Sequence, residues 1–211
     1  MSKLNMHEPE RIGTRKIVWF HLAKSGASMS FWLFFMMWLF QAYCIFMVLA
    51  HIVRHCLDMG ISYREAAFVL SLIGGAGAAG RLLMGVISDK IGQVKCCMIS
   101  TVFMAGAMLW LIIITGPREL QVFAIIWGFF YGGLGPSTSS WIVETFGLNH
   151  LGMILGMLSI GWTVGAALGP AVAGHLFDIH RSYDAAFASA SFALLLTGVL
   201  IVLQPKPVSL R

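Results

Sequence analysis

The sequence predicts an all-α membrane protein of six transmembrane helices, and three observations predict it. Of 211 residues, 58% are hydrophobic and only 11% are charged, against about 25% charged in a typical soluble domain. The chain holds six apolar stretches, 31–53, 66–88, 97–116, 120–143, 151–177 and 185–204, each matching the ~20 residues a helix needs to cross hydrocarbon. Of the 23 charged residues, 22 fall outside those stretches. A charge at the bilayer centre costs at least ~2.5 kcal/mol, so this segregation is what a hydrocarbon solvent imposes. The same numbers exclude a soluble globule and a disordered chain.

Each element carries its own signals. The first span is dense in aromatics from Phe31 to Phe46, too many for one stripe, and reads as lipid-facing surface plus an interfacial belt. His51 and His55 stand one turn apart near its end; two ligands without a third favour interfacial anchoring over metal binding. Before the second span, Ser62 and Glu65 have capping-box spacing. After it, Asp89 and Lys90 mark the membrane exit and Gly92 suits a left-handed turn into the third span. Pro117 and Glu119 suit the first turn of the fourth. Pro136 and Pro170 remove a backbone donor inside the fourth and fifth spans and predict bends. Pro205 and Pro207 end the sixth. The third-to-fourth link, 117–119, is too short for anything but antiparallel neighbours.

Residues 1–30 read as a basic cytoplasmic tail and 205–211 as a second, shorter one. With the N-terminus inside, inner segments hold nine Lys and Arg and outer segments four; without the N-terminal tail the count is four against four. Both ends are therefore expected in the cytoplasm of a multi-pass protein of the plasma membrane, or of the inner membrane in a bacterium. The net charge of +5 sits in short segments with no basic stripe, so it orients the chain and implies no nucleic-acid partner. Cys44, Cys56, Cys96 and Cys97 lack disulfide or metal spacing. No cofactor or metal site is expected. The first 30 residues mix acids with bases and show no cleavage site, unlike a signal peptide.

Two features point beyond a passive bundle. The second, fourth and fifth spans hold five, four and six glycines, while the first, third and sixth hold none, two and one. Gly161, Gly165 and Gly169 recur at four-residue spacing beside Pro170, which permits close helix contact inside lipid; static packing accounts for any single one equally well. The other feature is Arg81, the charged residue inside a span. A guanidinium there faces a wet cavity or counter-charge and can grip a carboxylate, or it snorkels to the headgroups. From chemistry alone both stand. Likewise, Asp89 at the 85–92 corner reads as a breakable latch to a neighbouring helix, or as an ordinary turn. Glu144 pairs with Lys90 or Lys95, or it is a solvated helix end.

The stretch Gly80-Arg81-x-x-x-Gly85-x-x-Ser88-Asp89-Lys90-x-Gly92 resembles the loop signature of the major facilitator superfamily, in the form found in its monocarboxylate and oxalate/formate transporter branch. Residues 128–156, with the Glu144-Thr-Phe-Gly147 corner, are similar to that branch's tenth helix. Residues 165–187 are similar to its eleventh-to-twelfth hairpin. Together the likeness covers 31–204. It implies a twelve-helix fold of two halves, each a 3+3 inverted repeat, with this chain as the C-terminal half and residues 1–30 in place of the central loop. It further implies that Arg81 contacts an anionic substrate and that Gly85, Asp89, Lys90 and Gly92 act in gating. Departures stand beside it. Gly77 replaces an acid found in some proton-coupled members, 151–177 lacks the lysine of oxalate-type members, and Gln93 stands where a base is usual.

The expected function is thus a secondary transporter half for small organic anions, working by alternating access without covalent chemistry. Its partners would be the bilayer, the substrate and the missing six-helix half. A non-transporting six-helix scaffold is the alternative. An intramembrane enzyme fits less well, since no histidine lies deep opposite Ser137, Ser139 and Ser140, and HExxH is absent.

Overall fold

The computed structural model describes residues 29–148 and 151–205; both charged tails lie largely outside the described residues. Six helices follow one another: α1 Met29–Asp58, α2 Tyr63–Ile91, α3 Gln93–Ile113, α4 Pro117–Phe146, α5 Leu151–His180 and α6 Asp184–Leu203. Five of them, all but α4, are long and apolar enough to cross a membrane. α4 is equally long, but its Gly132–Ser140 stretch (GGLGPSTSS) dilutes its apolar content.

Most helices outrun the apolar stretches by two to five residues because local caps extend them into the polar boundary. At the start of α2 the Glu65 amide donates to Ser62 Oγ at 3.4 Å, and the Ser62 hydroxyl donates to Glu65 Oε2 at 2.8 Å. At the start of α4, Pro117 sits in the first turn, and Glu119 Oε2 accepts from the Thr115 amide at 3.1 Å. α3 stops short, at Ile113, leaving 114–116 as an extended link.

Packing follows a two-fold pattern. α1 lies on α5 and α6, α4 lies on α2 and α3, and α3 meets α6. Replacing α1, α2, α3 by α4, α5, α6 maps this set of neighbours onto itself, as an inverted repeat of three helices requires. The corners repeat as well. Among the described residues, four have positive φ: Gly60, Gly92, Gly147 and Arg181. They close the α1–α2, α2–α3, α4–α5 and α5–α6 corners, so each three-helix unit contributes two.

Buried apolar side chains form two clusters. The larger joins α1, α3, α4 and α6 around Met47, Ile52, Met108, Phe123, Trp127 and Phe187; the smaller gathers Phe34, Trp141, Ile142 and Leu158 at the other end. Here the expectation for the first span is corrected in part: Trp32 is exposed, but its neighbours are not. Phe31 and Phe34 are buried, and Phe34 meets Trp141 edge-on at 5.0 Å between ring centroids. Trp38 and Phe46 flank Trp162 of α5 at 6.0 and 6.1 Å. The aromatics of α1 are so numerous because they fill two interfaces at once, as edge-to-face pairs that need no hydrophobic drive from water.

Candidate functional site

Two glycine seams bring helix backbones together. In the α2–α4 seam, a Cβ at Gly80 would strike the Phe129 carbonyl, and one at Gly132 would strike the Gly77 carbonyl; at Gly128 it would come within 2.6 Å of the Ile73 carbonyl. In the α1–α5 seam, a Cβ at Gly161 would come within 2.9 Å of the Phe35 carbonyl, and one at Gly165 or Gly169 would strike the Leu39 or Tyr43 carbonyl. A methyl group at any of these would force the backbones apart. In lipid such close approach replaces the hydrophobic drive. Gly152 and Gly156, by contrast, have nothing near them and are exposed.

Arg81 stands at the edge of the first seam. The buried stripe of α2 runs Ile73, Gly77, Gly80, Met84, Ser88, and Arg81, one residue past Gly80, is exposed. No acid of the described residues pairs with it; the ion pair found among them, Arg54 with Asp58 at 3.0 Å, is at the far end of α1. One turn before Arg81, the Tyr131 ring of α4 lies over Gly77, with ring carbons 3.6 and 3.7 Å from where a Cβ would be. Tyr131 stacks on Trp127 at 5.4 Å, and Trp127 on Phe123 at 6.2 Å. This aromatic ladder went unnoticed in the sequence, although its i, i+4, i+8 spacing was the available signal. Around Arg81 the surface of α2 also exposes Gly74 and Gly75, and the Tyr131 ring of α4 lies one turn away.

The corner residues lie apart from that surface. Asp89 and Lys90 are exposed at the end of α2. Gly92 takes φ 95°, ψ 145°, and its amide caps the helix on the Ser88 carbonyl at 2.9 Å. Gly147 repeats this at the end of α4 with φ 74° and a bond to the Val143 carbonyl at 2.8 Å. Both conformations belong almost solely to glycine. Glu144 is exposed, and among the described residues it forms no ion pair with Lys90 or Lys95. Gly85 is open, with no atom near a Cβ placed on it. Pro170 lies within α5, one residue from Gly169.

The histidines of α1 do more than anchor the helix. His51 Nε2 lies 3.1 Å from the Pro170 carbonyl and Nδ1 3.1 Å from the Tyr183 hydroxyl. Among the described residues, no group of three or more metal-binding side chains comes together.

Residues 29–211 match the family model described as Major Facilitator Superfamily. Over 161 residues the chain is 32% identical to monocarboxylate transporter 13 of Rattus norvegicus, covering 75% of this chain and 38% of that protein. Over 167 residues it is 29% identical to monocarboxylate transporter 12 of Xenopus laevis, covering 77% and 36%. Among solved structures, the major facilitator transporter FucP in its outward conformation superposes with a TM-score of 0.74 at 14% identity, over 88% of this chain and 44% of that one. The chain therefore spans well under half the length of these relatives, matching one six-helix half of the shared fold. By the reach of that match and the repeat in its packing, the chain belongs to the Major Facilitator Superfamily.

Proposed function

We propose that this chain is one half of a secondary transporter for small organic anions, in which Arg81 holds the substrate carboxylate. The observation that carries this reading is the position of Arg81: an exposed guanidinium within an apolar helix, beside a glycine seam, with no acid paired to it among the described residues. A carboxylate from solution completes the pair with two parallel charge-assisted bonds. The Tyr131 ring supplies an apolar wall one turn away. The names of the relatives, which are monocarboxylate transporters, agree with this substrate class.

Alternating access requires a second body. α2 and α5 are the least enclosed of the five apolar helices, with 28% and 22% of their most apolar stretch buried against 44–50% for the other three. Their open faces mix small residues, Gly74, Gly75 and Ala78 on α2 and Gly152, Gly156 and Ser159 on α5, with exposed apolar ones such as Leu82, Val86, Ile160 and Leu168. In this reading those faces receive the other six helices, in the same chain or in a second one. Asp89, Lys90 and Glu144 then bear on the state change as exposed charges at the cytoplasmic rim, and both tails lie in the cytoplasm of the plasma membrane.

Thermal unfolding of the purified chain, with and without lactate, tests the site. Lactate is expected to raise the midpoint, a size-matched neutral amide is not, and Arg81→Ala is expected to abolish the difference. Equal midpoints with and without carboxylate in the unaltered chain would remove the support for Arg81 as the binding cation.

A further inference from the structure

The two glycine seams are related by the repeat, yet one carries an addition that the other lacks. At the Tyr183 end of the bundle, half-buried His51 of α1 bridges α5 and the α5–α6 corner. A carbonyl only accepts, so Nε2 carries the proton and donates to the Pro170 oxygen; in the neutral ring Nδ1 is then a lone pair that accepts from the Tyr183 hydroxyl. The Nε2–H tautomer satisfies both contacts; the Nδ1–H tautomer can donate to the Tyr183 oxygen but leaves the Nε2 lone pair facing the Pro170 carbonyl, two acceptors without a proton between them. Tyr183 is itself buried and stacks between Phe177 of α5, at 4.6 Å, and Phe187 of α6, at 5.8 Å. Its phenol therefore cannot swing away without opening that stack. Lower on the same side, the Tyr43 and Ser189 hydroxyls bond at 2.8 Å between α1 and α6. In the α2–α4 seam no side-chain hydrogen bond links the two helices among the described residues. Side-chain bonds from these helices stay within their own helix or its N-terminal cap, or go to α3, as between Cys97 and Thr138 and from Cys96 to the Met84 carbonyl.

We infer that His51, the Pro170 carbonyl and Tyr183 form a clasp that binds α1, α5 and the start of α6 into one rigid body at that end. Pro170 is where α5 lacks a backbone donor, since no proline N–H reaches the Ala166 carbonyl. The clasp thus grips α5 at its weakest turn, next to Gly169. Rearrangement inside the half is left to the unclasped α2–α4 seam, the one that carries Arg81. The clasp itself requires no anion, so its test is separate from that of the transport reading.

Two measurements on the chain in lipid nanodiscs at pH 8 decide it. Long-range nitrogen–proton correlation of histidine-labelled protein is expected to show His51 as a single Nε2–H tautomer, and Tyr183→Phe is expected to shift its Nδ1 resonance. A tautomer mixture like that of an exposed histidine, unmoved by Tyr183→Phe, would overturn the clasp. Hydrogen exchange by mass spectrometry is the second. His51→Phe is expected to speed exchange in residues 166–180 by about five- to tenfold, the effect of losing one or two net hydrogen bonds, while the α2 peptides stay unchanged. His51→Gln, whose amide can still donate to the Pro170 carbonyl, is expected to recover part of the protection. Unaltered exchange around Pro170 in His51→Phe would contradict the inference. If that variant fails to fold, the tautomer of the unaltered chain still decides.

Discussion

Arg81 is exposed on a helix otherwise free of charge between Glu65 and Asp89, and its neighbours set what it does. Arg81→Lys keeps the charge but loses the planar fork, so carboxylate affinity is expected to fall by about tenfold or more, read by titration calorimetry. Ala78 is exposed three residues before it on the same helix. Ala78→Glu places an internal carboxylate within reach of the guanidinium, and affinity for lactate is expected to fall several-fold because the site is already neutralised. The arginine was visible in the sequence because a single charge in an apolar run is conspicuous. Tyr131 was not, since nothing in one sequence says that its ring lies over Gly77; that depends on the crossing of two helices 54 residues apart. His51 was read as an anchor for the same reason. Its partners Pro170 and Tyr183 lie 119 and 132 residues away.

At the scale of helices, closeness of approach decides stability. Gly132→Ala and Gly165→Ala each drive a methyl into a facing backbone carbonyl, so each is expected to cost about 1–3 kcal/mol in reversible unfolding in detergent. Gly135→Ala and Gly152→Ala meet no atom within 4 Å and are expected to leave stability level or slightly raised, through helix propensity. The corners give a contrasting pair. Gly92→Ala imposes a side chain at φ 95°, while Arg181 already occupies φ 54°. The first substitution is expected to destabilise and Arg181→Gly to stabilise, each by about 1 kcal/mol. Glycine content pointed to α2, α4 and α5 as closely approached helices but not to glycine-free α1, which supplies the carbonyls facing Gly161, Gly165 and Gly169, and capping chemistry located the starts of α2 and α4. Neither told which exposed faces meet lipid and which meet another helix. That is why Phe31 and Phe34, apolar like any lipid-facing residue, were assigned to the wrong surroundings.

Across the whole molecule, a three-helix unit used twice explains the neighbour pattern, the paired corners and the two seams. The symmetry breaks where function is proposed, with Arg81 beside one seam and the His51 clasp on the other. The proposed orientation rests on the tail: replacing Lys3, Arg11, Arg15, Lys16 and Lys24 with Gln leaves four basic residues on each proposed side. Such a chain is expected to insert in both directions, as read by labelling engineered end cysteines from each face of the membrane. The most direct measurement of the central claim is a pair of solid-state NMR distances from the Arg81 guanidinium nitrogens, in lipid, to the labelled carboxyl carbon of lactate and to lipid phosphorus. A grip on substrate predicts a carboxyl carbon within about 4 Å and no close phosphorus. Strong coupling to phosphorus with none to lactate would mean that Arg81 reaches the headgroups and carries nothing.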